Sequence, residues 1–272
     1  MNLTIVIVSF NSGEILHRCI KSIDKKYPII IVENSLNNKL KFDLEKIYSN
    51  VTCILPKENL GYGAGNNLGI KHAKSKYVLI LNPDTILYED TISNLLIQAE
   101  IIKDFSIIGP RIVENENEKP EILKKDNESV QYIKGFAILF NKEKFDKIGF
   151  FDENFFLYFE ETEYCYRAKK KGYLSYQIND IKVTTKGRSV DLESESFSNI
   201  LIWHFIWSKF YFHKKKYGKL LSLIIFLPLL VRILFRIILY TITKNEISTT
   251  KYKTRFDGLL KSIKGQKSDL RP

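Results

Sequence analysis

Four short runs in the first third of the chain are apolar almost without interruption, and they constrain the fold more than any other feature. They are Leu3 to Ser9, Ile29-Ile30-Ile31-Val32, Val51 to Leu55 and Tyr77-Val78-Leu79-Ile80-Leu81. A strand with one wet face alternates apolar and polar residues, so these runs must be covered on both faces. Helical patterns separate them. Gly13 to Ile23 places Ile15, Leu16, Cys19, Ile20 and Ile23 on one face, with Ser12 as a plausible cap. A short helix follows Ser35, and Tyr62 to Ala73 reads as another. Strands alternating with helices predict an α/β fold, a mostly parallel sheet with helices on both faces.

The pattern continues with a helix over Asp90 to Lys103 and a strand over Ile107 to Val113, interrupted at Pro110. Glu114 to Ser129 is polar and reads as an exposed loop, and Tyr132 to Phe140 is apolar again. Glu160 to Lys171 reads as a helix closed by Gly172, followed by short strands at Tyr173 to Ile178 and Ile181 to Thr185.

Charge divides the chain. Residues 199–272 hold 15 Lys/Arg against 3 Asp/Glu, while the whole chain has a net charge of +11. The basic excess therefore lies wholly in the last quarter. The expected division is a catalytic domain at 1–198 and a helical, apolar and basic region at 199–272. Three scattered cysteines, Cys19, Cys53 and Cys165, have neither metal nor redox spacing and suit a reducing compartment. The N-terminus reads as a first strand rather than a signal peptide.

Candidate chemistry gathers where strands end. Asn82-Pro83-Asp84 directly follows the fourth run. Proline cannot donate to a sheet ladder, so the strand stops there and presents Asp84 at its carboxyl end. Ligands bind at that edge of an open α/β sheet, and an acid there suits a divalent cation bridging a diphosphate. The first strand ends in Ser9-Phe10-Asn11 and the second in Glu33-Asn34-Ser35. Phe10 could stack on a base, and Glu33 could accept from a base or ribose. Asn59 to Asn67 is a Gly/Asn-rich loop entering a helix, where small residues let backbone approach a ligand.

Phe150 to Glu163 is dense in aromatics and acids. Glu163 and Arg167 are spaced to pair on the helix surface. Glu161 shares its face with Cys165 and Ala168 and so points inward, as a general base would.

These motifs, in this order, resemble glycosyltransferase family 2 and its bacterial rhamnosyltransferase-like branch. The matching residues are Val8-Ser9-Phe10-Asn11, Glu33-Asn34-Ser35, Asn59-Leu60-Gly61-Tyr62 with Ala64, Asn66, Asn67 and Gly69, Leu81-Asn82-Pro83-Asp84, Gly135, Phe151-Asp152-Glu153, and Phe156 to Glu161. The resemblance implies a GT-A fold, a nucleotide-diphosphate sugar donor, Mg or Mn, and inversion at the anomeric carbon. It makes Asp84 the principal metal ligand, with Asn82 in the diphosphate motif. It places Ser9, Phe10, Glu33, Asn59 and Asn66 on the donor. Glu161 matches the family's base, with Glu160 beside it. Three departures stand out. Glu33 and Glu161 replace the usual Asp. The late segment Thr184-Thr185-Lys186-Gly187-Arg188-Ser189 lacks the His often found before its Gly, and Lys186 or Arg188 could neutralise the leaving diphosphate instead.

Leu220 to Thr243 is apolar but contains Pro228, Arg232 and Arg236, and it follows His213-Lys214-Lys215-Lys216. Arginine at mid-membrane is costly, so an in-plane amphipathic helix on an anionic membrane is favoured over a spanning one. That pairing of apolar and basic residues also favours a membrane over nucleic acid as the partner. Lys264 to Pro272 reads as a disordered tail. The expected activity is an inverting transferase moving a sugar, with rhamnose the candidate, to a glycan or lipid-linked glycan in cell-surface polysaccharide synthesis. The expected location is the cytoplasmic face of the inner membrane, peripheral or monotopic. The alternatives are a catalytically impaired nucleotide-sugar-binding or scaffold protein of the same fold, and a nucleotidyltransferase. No basic Gly-rich motif near the first strand supports the last of these.

Overall fold

The computed structural model describes residues 2–113, 129–185 and 195–272. Two compact units emerge: Met1–Asp152 with Glu161–Asp191, and Glu153–Glu160 with Leu192–Pro272.

The first unit is built on one sheet. Strands β1 (Leu3–Ser9), β2 (Ile29–Glu33), β3 (Val51–Ile54) and β4 (Tyr77–Leu81) run parallel in the order β3-β2-β1-β4. The helices α1 (Gly13–Lys21), α2 (Asn38–Ile47) and α3 (Gly61–His72) connect them. The winding reverses at β1: α1 leads to β2 on one side, and α3 returns the chain to β4 on the other. The sheet continues through β8 (Ala137–Asn141), antiparallel to β4, then β6 (Phe105–Val113), β9 (Leu174–Thr185) and β5 (Thr85–Leu87). The two-residue β7 (Ser129–Val130) pairs with β9. Helices α4 (Thr91–Ile102), α5 (Lys142–Ile148) and α6 (Glu160–Lys170) complete the unit's helical layers, although Glu160 itself groups with the second unit.

Successive strand residues point to opposite faces, and both faces are apolar. Ile5, Ile7, Ile31, Leu79 and Leu81 pack with Leu16, Cys19, Ile20 and Leu95 from α1 and α4. Val6, Ile30, Val78 and Ile80 pack with Ile70, Phe145, Tyr164 and Ala168 from α3, α5 and α6. The close fit of α3 explains two of its glycines. A Cβ on Gly69 would lie 2.4 Å from Val6 Cγ1, and one on Gly65 would lie 3.0 Å from Val8 Cγ1. At both positions the small residue admits strand β1, which for Gly65 corrects the expectation that the loop's small residues serve a ligand.

Two further expectations change. The strands anticipated at Tyr173 to Ile178 and Ile181 to Thr185 are one strand, β9. Its register against β6 slips between Pro110, paired with Ile178, and Arg111, paired with Lys182. Pro110 has no N–H for the ladder, and the slip falls beside it. The Glu163–Arg167 pair is partly buried rather than on the surface: the Glu163 side chain is 1% exposed, Arg167 is 26% exposed, and Arg167 Nε lies 2.9 Å from both carboxylate oxygens. Arg167 also donates to the carbonyls of Ile148, Gly149 and Phe150, clamping the turn after α5. The expected loop from Glu114 to Ser129 lies outside the described residues except for Ser129.

The second unit contains α7 (Glu195–Tyr217), α8 (Lys219–Ile242) and α9 (Glu246–Lys264) around Ile206, Phe210, Phe226, Ile233 and Leu259. Gly218, at φ +82°, makes the one-residue turn from α7 to α8. The tail after α9 is ordered rather than disordered. Neutral His204 donates from Nε2 to Leu270 O at 2.7 Å and accepts from Ser268 Oγ at Nδ1 at 2.8 Å. Burial pushes this imidazole down to about 4. Trp207 Nε1 donates to Gln266 O. The segment Glu153–Glu160 is held in the same unit. Phe155 packs edge-on to Tyr211, and Phe156 lies between His204 and the Arg271 guanidinium, 4.1 Å from its ring centroid. Ser208 Oγ donates to Leu157 O at 2.7 Å.

Candidate active site

The reversal of winding at β1 leaves a crevice outside the carboxyl ends of β1 and β4, the place where open α/β sheets bind ligands. Ile7 pairs with Leu81, so Ser9-Phe10-Asn11 and Asn82-Pro83-Asp84 leave the sheet at the same edge. Asn11 turns the chain there at φ +46°, a conformation asparagine tolerates. Phe10 is half-buried, and its N–H and carbonyl both meet Ser12 Oγ at 3.3 Å. Ser12 is the cap residue of α1, but its hydroxyl makes no side-chain cap bond.

Glu33 is fully buried at the end of β2, opposite Ser9. The Ser9 hydroxyl donates to Glu33 Oε2, and the Ser35 hydroxyl and amide donate to Oε1. A carboxylate has about four lone-pair positions, and three here already serve the protein. Glu33 therefore ties β1 to the turn after β2, whatever else it reads. Asn34 pins the glycine loop: its Nδ2 donates to Gly61 O at 3.0 Å and its Oδ1 accepts from Leu60 N. Asn59 Oδ1 accepts from Gly61 N at 3.0 Å.

The two asparagines within α3 differ. Asn67 exchanges two hydrogen bonds of 3.0 Å with the main chain of Phe151. Asn66 donates from Nδ2 to Tyr62 O at 3.0 Å, and its Oδ1 is buried without a partner among the described residues. The same is true of Asn82 Oδ1 and Asp84 Oδ1. Burying an acceptor without a donor costs about 1–3 kcal/mol, so these atoms, one in the first turns of α3 and two just after β4, are where a ligand or cation would supply the missing partners. Asp84 is 2% exposed, and its other oxygen accepts from Thr185 Oγ1 at 3.0 Å.

No group of three or more His, Cys, Asp or Glu side chains able to hold a metal occurs among the described residues. One carboxylate still fits the use made of Mg by many sites, with water and substrate phosphate completing its shell. The unpaired oxygen of Asp84 is the observation that supports this. Lys186 and Arg188 lie outside the described residues.

The acidic helix start is the second centre. Glu160 is buried at 1% exposure, and Glu161 is half-buried with Cys165 one turn on and Ala168 two turns on, both buried. Burial pushes the Glu161 carboxyl up to about 7. Ahead of it, Tyr158 and Phe159 stand at φ +69° and +71°. Bulky residues held there cost about 1–3 kcal/mol each, and such strain concentrates at functional sites.

Sequence patterns did not reveal Thr185, the Asn67–Phe151 exchange or the Arg167 clamp. Their partners are remote along the chain, and no local signal could have paired them.

The family model for glycosyl transferase family 2 matches residues 4–166, more than half the chain. The chain belongs to that family. Among curated relatives, the low-salt glycan biosynthesis hexosyltransferase Agl10 of Haloferax volcanii is 29% identical over 194 residues, 62% of each chain. The N-acetylglucosaminyl-diphospho-decaprenol L-rhamnosyltransferase of Mycobacterium tuberculosis is 21% identical over 229 residues, 66% of this chain and 75% of that one. The chain thus spans about three fifths of the first relative's length and three quarters of the second's. These relatives support the rhamnosyltransferase-like branch. Among solved structures, the mannosyltransferase PcManGT of Pyrobaculum calidifontis, in complex with GDP-Man and Mn2+, superposes with a TM-score of 0.63 at 12% identity. It covers 96% of this chain and 87% of its own. The fold is GT-A, as the motifs implied.

Proposed function

We propose that this family 2 chain is an inverting sugar transferase using a nucleotide-diphosphate donor. The observation that carries the reading is the buried, unpaired Asp84 Oδ1 at the switch point of the sheet. Asp84, oriented by Thr185, would hold Mg or Mn. When bound, that ion would neutralise charge on the diphosphate as it leaves. Ser9, Phe10, Glu33, Asn59, Asn66 and Asn82 would line the donor side. Glu161 would take the proton from the acceptor hydroxyl, whose oxygen attacks the anomeric carbon opposite the departing diphosphate. A carboxyl raised to about 7 suits this role, since a base is most effective when its pKa lies near the working pH. The catalytic part would comprise residues 1–198.

On this reading rhamnose is the candidate sugar and the acceptor is a glycan or lipid-linked glycan in cell-surface polysaccharide synthesis, which the name of the Mycobacterium tuberculosis relative supports. Unit two would rest on the anionic cytoplasmic leaflet of the inner membrane. Helix α8 is long and apolar enough to span. However, one of its faces packs on α7 and α9, and α9 carries Lys251, Lys253, Arg255, Asp257 and Lys261. Such a helix cannot sit in hydrocarbon beside α8. The other face exposes Leu220, Ile224, Leu227, Val231, Phe235, Ile238 and Ile242, with Arg232 exposed at its border. This suits in-plane binding.

The test is a panel of nucleotide-diphosphate sugars, read by thermal shift with and without Mn and by release of nucleoside diphosphate. Stabilisation by one donor, enhanced by Mn, is expected. Stabilisation without turnover on any glycan or lipid-linked acceptor would favour the scaffold reading.

A further inference from the structure

We infer that Arg236, Tyr240, Tyr252 and Arg255 form a seat for the phosphate of an anionic phospholipid, at the border of the apolar face of α8. The inference rests on the membrane reading above and names the lipid group that unit two recognises.

The four residues form a ladder across the hairpin of α8 and α9. Arg236 donates from Nη1 to Tyr240 Oη at 2.7 Å, and its guanidinium carbon lies 5.8 Å from the centroid of that ring. The Tyr240 and Tyr252 rings meet at 5.6 Å, 30° from parallel. The Arg255 guanidinium lies 5.3 Å from the Tyr252 centroid. All four residues are half-buried, so their side chains are confined but still reach solvent. Arg236 stands one turn before Tyr240 on α8, and Arg255 stands one turn after Tyr252 on α9. In a hairpin both arginines therefore lie on the same side of the tyrosine pair, away from the connection at residues 243–245.

The charge on this ladder lacks a counter-ion. Helix α8 contains neither Asp nor Glu. Among the described residues neither Arg236 nor Arg255 makes an ion pair with a carboxylate. The tyrosines hold the guanidinium groups in place without neutralising them. Arg236 uses one of its five N–H donors on Tyr240. An arginine held in this way presents a planar fork that matches phosphate oxygens. Position selects a lipid as the source of that phosphate. Arg232 and Arg236 each follow an exposed apolar residue, Val231 and Phe235, by one step, about 100° around the helix. With the apolar face of α8 in the acyl chains, both arginines stand at its border, at the level of the headgroups. Tyrosine suits that level too, with its ring toward the apolar layer and its hydroxyl toward water. A free phosphate would make the ionic contact without the apolar one.

Charge-conserving variants separate a phosphate seat from diffuse attraction. Arg236→Lys with Arg255→Lys keeps the net charge but loses both planar forks. Tyr252→Leu leaves both arginines in place, keeps an apolar contact in the hairpin and removes the ring beside Arg255. The full chain is tested by flotation with vesicles of phosphatidylcholine, with and without phosphatidylglycerol. It is also titrated with dihexanoyl phosphatidylglycerol below its micelle concentration, alone and against inorganic phosphate. Wild type should float with the mixed vesicles and bind the soluble lipid to saturation, with inorganic phosphate a weak competitor. The double Lys variant should lose about fivefold or more of both affinities. Tyr252→Leu should lose about threefold, with its thermal midpoint showing that the hairpin is intact. The inference is overturned if the folded variants bind both probes as wild type does, or if inorganic phosphate displaces the soluble lipid at equal concentration. It is also overturned if sedimentation shows a dimer that Phe235→Glu dissociates, which would assign the α8 face to a second copy. Failure of the membrane reading looks different: wild type floats with neither vesicle, and the inference falls with it.

Discussion

Thr185 Oγ1 donates to Asp84 Oδ2 at 3.0 Å, which orients the carboxylate and leaves Oδ1 buried and unpaired. Asp84→Ala should abolish the Mn-dependent part of nucleoside diphosphate affinity. Thr185→Val keeps the charge but frees the carboxylate, and should weaken that part by about tenfold, as loss of a supporting hydrogen bond does at metal sites. Titration calorimetry with and without Mn measures both. Unchanged metal dependence in Asp84→Ala would remove this residue from the site.

Glu161→Gln should lower turnover by about 100-fold or more with donor affinity little changed. In wild type, kcat/KM should rise with pH through an apparent pKa near 7, where burial holds this carboxyl. The stability effect has the opposite sign. The folded state retains the proton up to about 7, while the unfolded carboxyl loses it near its ordinary value of 4.5. Wild type therefore loses stability as pH rises between those values, and Glu161→Gln should be more stable than wild type at pH 8, by about 1 kcal/mol or more. Urea unfolding at pH 5 and pH 8 checks the sign. An active Glu161→Gln beside an inactive Glu160→Gln would exchange the roles of the two acids.

Asn67 holds both the N–H and the carbonyl of Phe151 in a buried setting. Asn67→Ala strands both and should cost about 2–4 kcal/mol. Asn67→Asp keeps the acceptor but not the donor and should also destabilise. Unfolding midpoints near wild type for both variants would show that the exchange contributes little.

The α8 face predicts two separable membrane defects. Val231→Glu with Ile238→Glu should reduce flotation with liposomes at any salt concentration, because apolar insertion is not screened. Replacing Lys214, Lys215 and Lys216 by Gln should remove about tenfold or more of binding to acidic vesicles at low salt and little at high salt. Both residues of the first variant are exposed, so the fold should survive. Truncation after Asn199 is a poorer test, since it removes the partners of Phe155, Phe156 and Phe159. Access of protease to the C-terminus only from the far side of the vesicle would make α8 a spanning helix.

The local pattern alone determined the four parallel strands, and β1, β2 and β4 are apolar nearly throughout because both their faces are buried, whereas β3, at the sheet edge, leaves Thr52 exposed. It also determined the strand end at Asn82-Pro83-Asp84, because proline cannot continue a ladder, and the ordered motifs that carry the family. Tertiary structure decided what each polar group meets. Glu33 was legible as a strand-end acid, and its two contacts from Ser35 are local to the turn, but the one from Ser9 required β1 and β2 to pair in register. Gly65 looked like part of a ligand loop until α3 settled onto Val8. The tail after Lys264 is polar and has no period, so only its contacts with His204 and Trp207 give it a structure. Hydrophobic periodicity is a property of neighbours in sequence, whereas a hydrogen-bond partner or a raised carboxyl depends on residues brought together from distant parts of the chain.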